Sequence, residues 1–269
     1  MGLLGRRHRR AEKGGSDLSA LPGTTGRRRI YLMRHGHVDY FGPEIMAAGG
    51  DTKVVPLTPL GQEQAKAAGK ALSHVVLDRA ICSGVPRTRQ TAEWVLAAQE
   101  EKAPVLEEEP ALVEIHGGSF GKIMSRTELA AKMAFYFETA EEPGATMLEG
   151  GEVFGDALLR AVGAVKRLLA EPGWHTALIA AHEGINRLLL GWAATGCSVE
   201  RALSAVRAFE QDPACINVID FDMVPAADGG VGTEIQRSII KSVNVTPYNY
   251  VKHGMNMTSL EAIFSKDPR

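Results

Sequence analysis

Apolar positions fall into short unbroken runs that alternate with longer stretches of helical spacing. The first run, Ile30-Tyr31-Leu32-Met33, stops abruptly at Arg34-His35-Gly36-His37. Residues 77–82 form a second run, ending at Ser83-Gly84, and residues 176–181 a third, ending at His182-Glu183-Gly184. Runs of this length and composition predict strands buried in a sheet. Between them lie helical patterns. Thr58-Pro59 supplies an N-cap and a first-turn proline ahead of Ala65, Ala68, Leu72 and Val76. A second helix starts near Pro86 and passes through Arg87, Thr91, Trp94 and Val95. Residues 152–170 carry Val153, Ala157, Leu158, Ala161, Val165 and Leu168 on one side and stop at Pro172-Gly173; residues 185–194 form the next helix. Alternating strands and helices predict a parallel sheet with helices on both faces.

The remaining segments are less regular. Residues 38–56 read as a loop, with Gly-Pro at 42–43 and Gly-Gly at 49–50. Residues 104–111 are acidic and predict an extended edge segment feeding Leu112-Val113-Glu114. Residues 117–151 predict a helical excursion from the sheet, with one helix over 126–139 whose apolar face carries Leu129, Met133 and Phe137. Strands over 217–222 and 235–243, joined across the turn-rich residues 226–230, predict a closing hairpin. The domain reading is thus a basic, disordered tail at 1–29, a main domain at 30–243 with the insertion at 117–151, and a polar extension at 244–269.

Composition narrows the function classes. The 269 residues are 45% hydrophobic and 23% charged with a net charge of -2, which is ordinary globular chemistry and gives no basic surface for nucleic acid. Cys82, Cys197 and Cys215 are too few and too scattered for a disulfide framework or a zinc site, and are expected as buried thiols in a reducing cytoplasm. No apolar run is long enough to span a bilayer. The arginines at 6, 7, 9 and 10 are not followed by the apolar stretch of a secretory signal.

Candidate chemistry clusters at predicted strand ends. Arg34-His35-Gly36 and His182 end two strands, Arg87 lies just past a third, and Glu114 follows a short apolar segment. Strand C-termini of a parallel sheet share one edge, so these groups can converge. Two arginines, two histidines and a carboxylate suit phosphoryl transfer without a metal. The arginines neutralise phosphate oxygens, one imidazole attacks phosphorus, the other donates to an equatorial oxygen, and the carboxylic acid protonates the leaving oxygen before taking a proton from water. A nucleophilic His35 must be neutral on its attacking nitrogen. Arg34 and Arg87 are expected to lower its pKa, and its other ring nitrogen to donate to a backbone carbonyl. His35 with His37 also leaves a metal reading open, without recognisable spacing of further ligands.

Several segments resemble the histidine phosphatase superfamily, also called phosphoglycerate-mutase-like. Leu32-Met33-Arg34-His35-Gly36 is similar to its nucleophile motif. Residues 82–92, Cys-Ser-Gly-Val-Pro-Arg-Thr-Arg-Gln-Thr-Ala, resemble its second-arginine motif, usually Ser-Pro-x-x-Arg-Ala-x-Gln-Thr-Ala. Leu112-Val113-Glu114 and Ala180-Ala181-His182 resemble the general-acid and second-histidine segments, and residues 57–65 are also similar. The resemblance implies a three-layer α/β sandwich with a mostly parallel central sheet and no cofactor. It implies a phosphohistidine at His35, a phosphate pocket of Arg34, Arg87 and His182, and proton donation by Glu114. The implied substrate is a small phosphorylated metabolite; a homo-oligomer stays open.

The departures are informative. Val38 and Phe41 stand where mutases of the family tend to carry a hydroxyl residue and an asparagine, which favours a phosphatase over a phosphoglycerate-type mutase. A catalytically weak phosphate-binding scaffold is the third reading. His37 replaces a common Glu or Gln, and Glu183 a common Gly. A carboxylate beside a phosphate pocket repels an anion unless it points away or meets a substrate cation or hydroxyl. Arg89 competes with Arg87 for the second-arginine role, Glu107, Glu108 and Glu109 compete with Glu114, and His116 is a secondary pocket candidate.

Overall fold

In the computed structural model, residues 25–43, 52–118, 135–225 and 233–249 are described. The first strand, β1 (Gly26–Arg34), lies at the centre of a six-stranded sheet. Helix α1 (Pro59–Leu72) leads to β2 (Arg79–Cys82), and α2 (Pro86–Ala97) to the short edge strand β3 (Leu106–Glu108). Helix α3 (Phe154–Ala170) precedes β4 (Thr176–Ala181), which runs into α4 (Glu183–Ala194). A short helix α5 (Val199–Ala205) is followed by β5 (Ile216–Pro225) and β6 (Thr233–Val245). The strand order is β3-β2-β4-β1-β5-β6. The first four strands are parallel, and β5 and β6 add an antiparallel ribbon.

Alternation along the central strands explains the three layers, because successive side chains leave a strand on opposite faces. Ile30, Leu32, Ala177, Ile179 and Ala181 pack with α3, α4 and α5. Met33, Leu178 and Ala180 pack with Ala68 and Leu72 of α1 and Ala92 and Val95 of α2. Trp174 and Trp192 are fully buried on the first face, where each indole N–H finds a carbonyl, Leu168 O at 3.1 Å and Cys197 O at 2.8 Å.

Strand β1 begins at Gly26, four residues before the apolar run that signals it. Arg27 and Arg29 hide the strand in a charged sequence, and β5 answers them. Arg29 forks onto buried Asp220 at 2.6 and 2.8 Å, and Arg27 onto Asp222 at 2.7 and 3.2 Å. Residues 1–24 of the expected tail lie outside the described residues, as do residues 119–134 of the insertion, including Leu129 and Met133. The end of the helix expected over 126–139 is instead a chain of tight turns from residue 135, held by i+3 to i bonds such as Glu138 N to Phe135 O at 3.0 Å. Phe137 there is buried against Phe154, with ring centroids 5.6 Å apart. Beyond residue 243, β6 continues to Val245 and a turn follows, so the expected extension starts inside the sheet. Cys82 and Cys215 are buried thiols, whereas Cys197 is half-buried.

Thr58 caps α1 as expected, accepting from Gly61 N at 3.1 Å. The cap clamps the loop after β1: Thr58 N donates to His37 O at 3.0 Å. Backbone meets backbone here, and a Cβ on Gly61 would lie 2.1 Å from His37 O. We predict that Gly61→Ala loses about 1–3 kcal/mol in urea denaturation, because neither chain can yield. Gly155→Ala, in open space on α3, should be neutral or stabilising by up to about 1 kcal/mol.

Candidate active site

Register brings the site together. Arg34 pairs with Ala181 across β1 and β4, and Cys82 pairs with Ala180 across β2 and β4. The next residues, His35, His182 and Ser83, therefore leave the same sheet edge side by side. His35 N donates to Ala181 O at 3.1 Å, and His35 O accepts from Ala214 N at 3.0 Å, so its backbone is held on both flanks. The His35 and His182 ring centroids are 5.3 Å apart, with planes at 70°.

The hydrogen-bond partners of each imidazole fix its neutral tautomer. His35 Nδ1 lies 2.8 Å from Gly36 O, which can only accept, so Nδ1 carries the proton and Nε2 keeps the lone pair. Burial, then Arg87, His182 and Arg34, hold the His35 pKa well below its ordinary value of 6.5. For His182 the direction is set by a chain of hydroxyls. Thr88 Oγ1 donates to Val85 O at 3.0 Å, which leaves it to accept from Ser83 Oγ at 2.9 Å. Ser83 Oγ then accepts from His182 Nε2 at 2.8 Å. His182 Nδ1 is left facing Arg87 Nη2 at 3.4 Å. Burial, then Arg87 and Arg34, push the His182 pKa well down too.

Both arginines are buried and aimed by backbone carbonyls. Arg87 Nη1 donates to Thr52 O at 2.6 Å, its guanidinium carbon lies 5.7 Å from the Tyr40 ring centroid, and its Nε has no hydrogen-bond partner among the described residues. Arg34 Nη1 donates to Gln211 O at 2.6 Å, and its Nη2 lies 3.5 Å from Glu183 Oε2. Burial disfavours the Arg34 charge, but Glu183 and other neighbours outweigh it and the Arg34 pKa is raised. The Gln211 loop is itself anchored: the Gln211 amide bonds Asn186 and Asn217, and Asn217 Nδ2 reaches Leu32 O at 2.9 Å.

Glu114 sits against the start of α4. Its Oε2 accepts from Gly184 N at 3.2 Å, and its Oε1 from Ile115 N at 2.9 Å and Ile185 N at 3.3 Å. Burial raises the Glu114 pKa against the opposing pull of those N–H groups. The neighbouring acids are spent elsewhere. Glu107 binds Arg79 at 2.7 Å, Glu108 binds Arg89, and Glu109 binds Arg167 at 2.9 Å. Arg89 is thereby drawn to an exposed pair, and Arg87 is the arginine beside the histidines.

The model of the histidine phosphatase superfamily (branch 1) matches residues 30–224. The chain belongs to this superfamily. Among its relatives is the adenosylcobalamin/alpha-ribazole phosphatase of Salmonella typhimurium, 28% identical over 162 residues that make up 60% of this chain and 77% of that protein. The solved mycobacterial glucosyl-3-phosphoglycerate phosphatase superposes with a TM-score of 0.60 at 20% identity, covering 81% of this chain and 99% of the other. The alpha-ribazole phosphatase of Shigella flexneri superposes with a TM-score of 0.56 at 23% identity, covering 80% of this chain and 96% of the other. The three-layer α/β architecture of this histidine phosphatase is that of its neighbours.

Several groups of the histidine phosphatase site have little or no signature in the sequence. Thr52, at the start of a short 3-10 turn, and Gln211 and Tyr40, outside the helices and strands, hold the arginines through a carbonyl or a ring, which leaves no pattern. Ser83 and Thr88 sit inside the second-arginine motif, and Thr88 stands where the family usually has Ala, which was the available signal. His37 is taken up by the α1 cap, its Nδ1 2.8 Å from Thr58 Oγ1. His116 is exposed. Among the described residues no three His, Cys, Asp or Glu side chains form a metal cage, and no helix is long and apolar enough to cross a membrane.

The depressed histidines set a pH dependence of stability. Unfolded, His35 and His182 take up protons near 6.5; folded, they resist until well below it. The unfolded state then binds more protons, so their contribution is complete above 6.5 and is lost as pH falls. The urea midpoint should drop between pH 7 and pH 5, and drop less in His182→Asn. An equal decline in both proteins would contradict this assignment.

Proposed function

We propose that this histidine phosphatase is a phosphomonoesterase that hydrolyses a small phosphorylated metabolite through a phosphohistidine at His35. The observation that carries the reading is the His35 ring itself, neutral, buried and turned by the Gly36 carbonyl so that Nε2 keeps its lone pair beside Arg87 and His182. Nucleophilic catalysis requires that lone pair.

In the first step, Nε2 of His35 forms a bond to phosphorus as the bond to the leaving oxygen breaks. Arg34 and Arg87 stabilise charge on the equatorial oxygens from positions set by the Gln211 and Thr52 carbonyls. Glu114, kept protonated to higher pH by burial, gives its proton to the leaving oxygen. In the second step the Glu114 carboxylate takes a proton from water. The resulting hydroxide oxygen bonds to phosphorus, the P–N bond breaks, and inorganic phosphate leaves. His182 borders the same pocket through Nδ1, which carries no proton while Nε2 donates to Ser83. It faces Arg87 Nη2 as an acceptor and steadies that guanidinium, and the donation to an equatorial oxygen expected of it requires a proton taken up at Nδ1.

The names of the relatives support a phosphorylated small molecule with an alcohol leaving group, as in the alpha-ribazole and glucosyl-3-phosphoglycerate phosphatases.

Two variants test the roles. His35→Ala should lower kcat/KM for a generic aryl phosphate by roughly 10⁴-fold or more and abolish acid-labile phosphoryl labelling. Glu114→Gln should lower kcat by roughly 10²–10⁴-fold for an alkyl phosphate, whose leaving oxygen needs the proton. With a nitrophenyl phosphate, whose leaving group departs without it, the loss should be much smaller. Equal losses on both substrates would remove Glu114 from the proton-donor role.

A further inference from the structure

Glu183 has no part in the chemistry above, yet it touches the phosphate pocket. It opens α4 directly after His182, and its two oxygens face two arginines. Oε2 lies 3.5 Å from Arg34 Nη2, and Oε1 lies 2.9 Å from Arg187 Nη2 one helical turn along. All three side chains are largely buried, at 13% exposure for Glu183, 4% for Arg34 and 11% for Arg187. Arg187 is also held independently of the pocket. Its guanidinium sits 4.6 Å over the Phe137 ring and 3.5 Å from Glu210. Arg34 has less freedom, since Nη1 is committed to the Gln211 carbonyl at 2.6 Å and Nη2 is the nitrogen that meets Glu183.

A phosphate that approaches Arg34 through Nη2 therefore meets a carboxylate already at that nitrogen. We infer that Glu183 is an internal competitor for Arg34 that lowers the pocket's affinity for inorganic phosphate and so speeds release of product. When phosphate takes Arg34, Glu183 keeps its bond to Arg187, and its charge stays beside the pocket as a repulsive neighbour. The same charge disfavours substrates whose leaving group carries a second anion near the start of α4. This rests on the phosphatase reading for the identity of the anion.

The test measures inorganic phosphate binding to the full chain by calorimetry at pH 7, for the wild type, Glu183→Gln and Glu183→Gly. Glutamine keeps the shape and removes the charge; glycine is the residue that the resembling sequences commonly carry there. Urea denaturation checks that each variant folds. Both variants should bind phosphate roughly tenfold more tightly, the scale of one close and poorly solvated charge. Phosphate should also become a correspondingly stronger competitive inhibitor of aryl phosphate hydrolysis. Affinity unchanged within about twofold, or weaker, in both variants would overturn the inference while leaving the phosphatase reading intact. Turnover lost with phosphate affinity unchanged would also overturn it, because the carboxylate would then be handling a proton. Absence of phosphate binding in all three proteins would overturn the pocket reading and this inference together.

Discussion

Burying two guanidinium groups at one sheet edge is the constraint around which the site is built. Neither Arg34 nor Arg87 can shed its proton, so each must find compensation inside the protein. Part of it comes from carbonyl oxygens on irregular segments, Gln211 O for Arg34 and Thr52 O for Arg87. Part comes from Glu183 and from the face of Tyr40. The same burial, and after it these two cations, hold the pKa of both imidazoles well below the ordinary value. An uncharged imidazole at this edge is thus a consequence of burial beside the guanidinium groups.

The sheet supplies the rigidity that this electrostatics needs. Strand β1 is paired on both sides, parallel with β4 and antiparallel with β5, so its end cannot swing. His35 inherits that fixity through Ala181 and Ala214. The paired arginines and aspartates farther down β1 and β5 tie the same ribbon at its other end. Because Asp220 is fully buried, breaking its pair with Arg29 would leave its charge to the more distant Arg27 Nη1 at 3.7 Å, a larger loss than for an exposed ion pair.

Most of the architecture was legible because apolar runs mark buried strands and helical spacing marks the layers above them. Residues 30–33, 77–82 and 176–181 each announced a strand, and the polar residue closing each run marked the functional edge. The start of β1 was illegible because Arg27 and Arg29 mimic a solvated tail; only their spacing against Asp220 and Asp222, nearly two hundred residues later, reveals a pairing. The turns from residue 135 were illegible for a different reason. Phe137 continues the helical spacing of Leu129 and Met133 in the sequence, yet it lies in a chain of turns, packed on Phe154. At the site, side chains with distinctive chemistry could be read from motifs. The carbonyls that aim them could not, since every residue has one.

Glu114 and Glu183 show how environment divides two like groups at one helix start. Helix α4 begins at Glu183, and its first free N–H groups favour a negative charge beside them. Glu114 takes those N–H groups from outside the helix, yet its burial is deep enough that its pKa is still raised. Glu183 instead meets Arg34 and Arg187, whose guanidinium groups answer its charge. A carboxyl that readily holds a proton suits acid catalysis; one locked in an ion pair suits competition for a cation. Exchanging the two surroundings would exchange the two capacities, because the side chains are chemically identical. The helix start therefore has to discriminate by position. It does so with Gly184, where an added Cβ would lie 2.8 Å from Glu114 Oε1 and 2.7 Å from Ile115 Cδ1. A larger residue there would press on the ends of both side chains, so the glycine between His182 and the body of α4 leaves the Glu114 carboxyl room at those N–H donors.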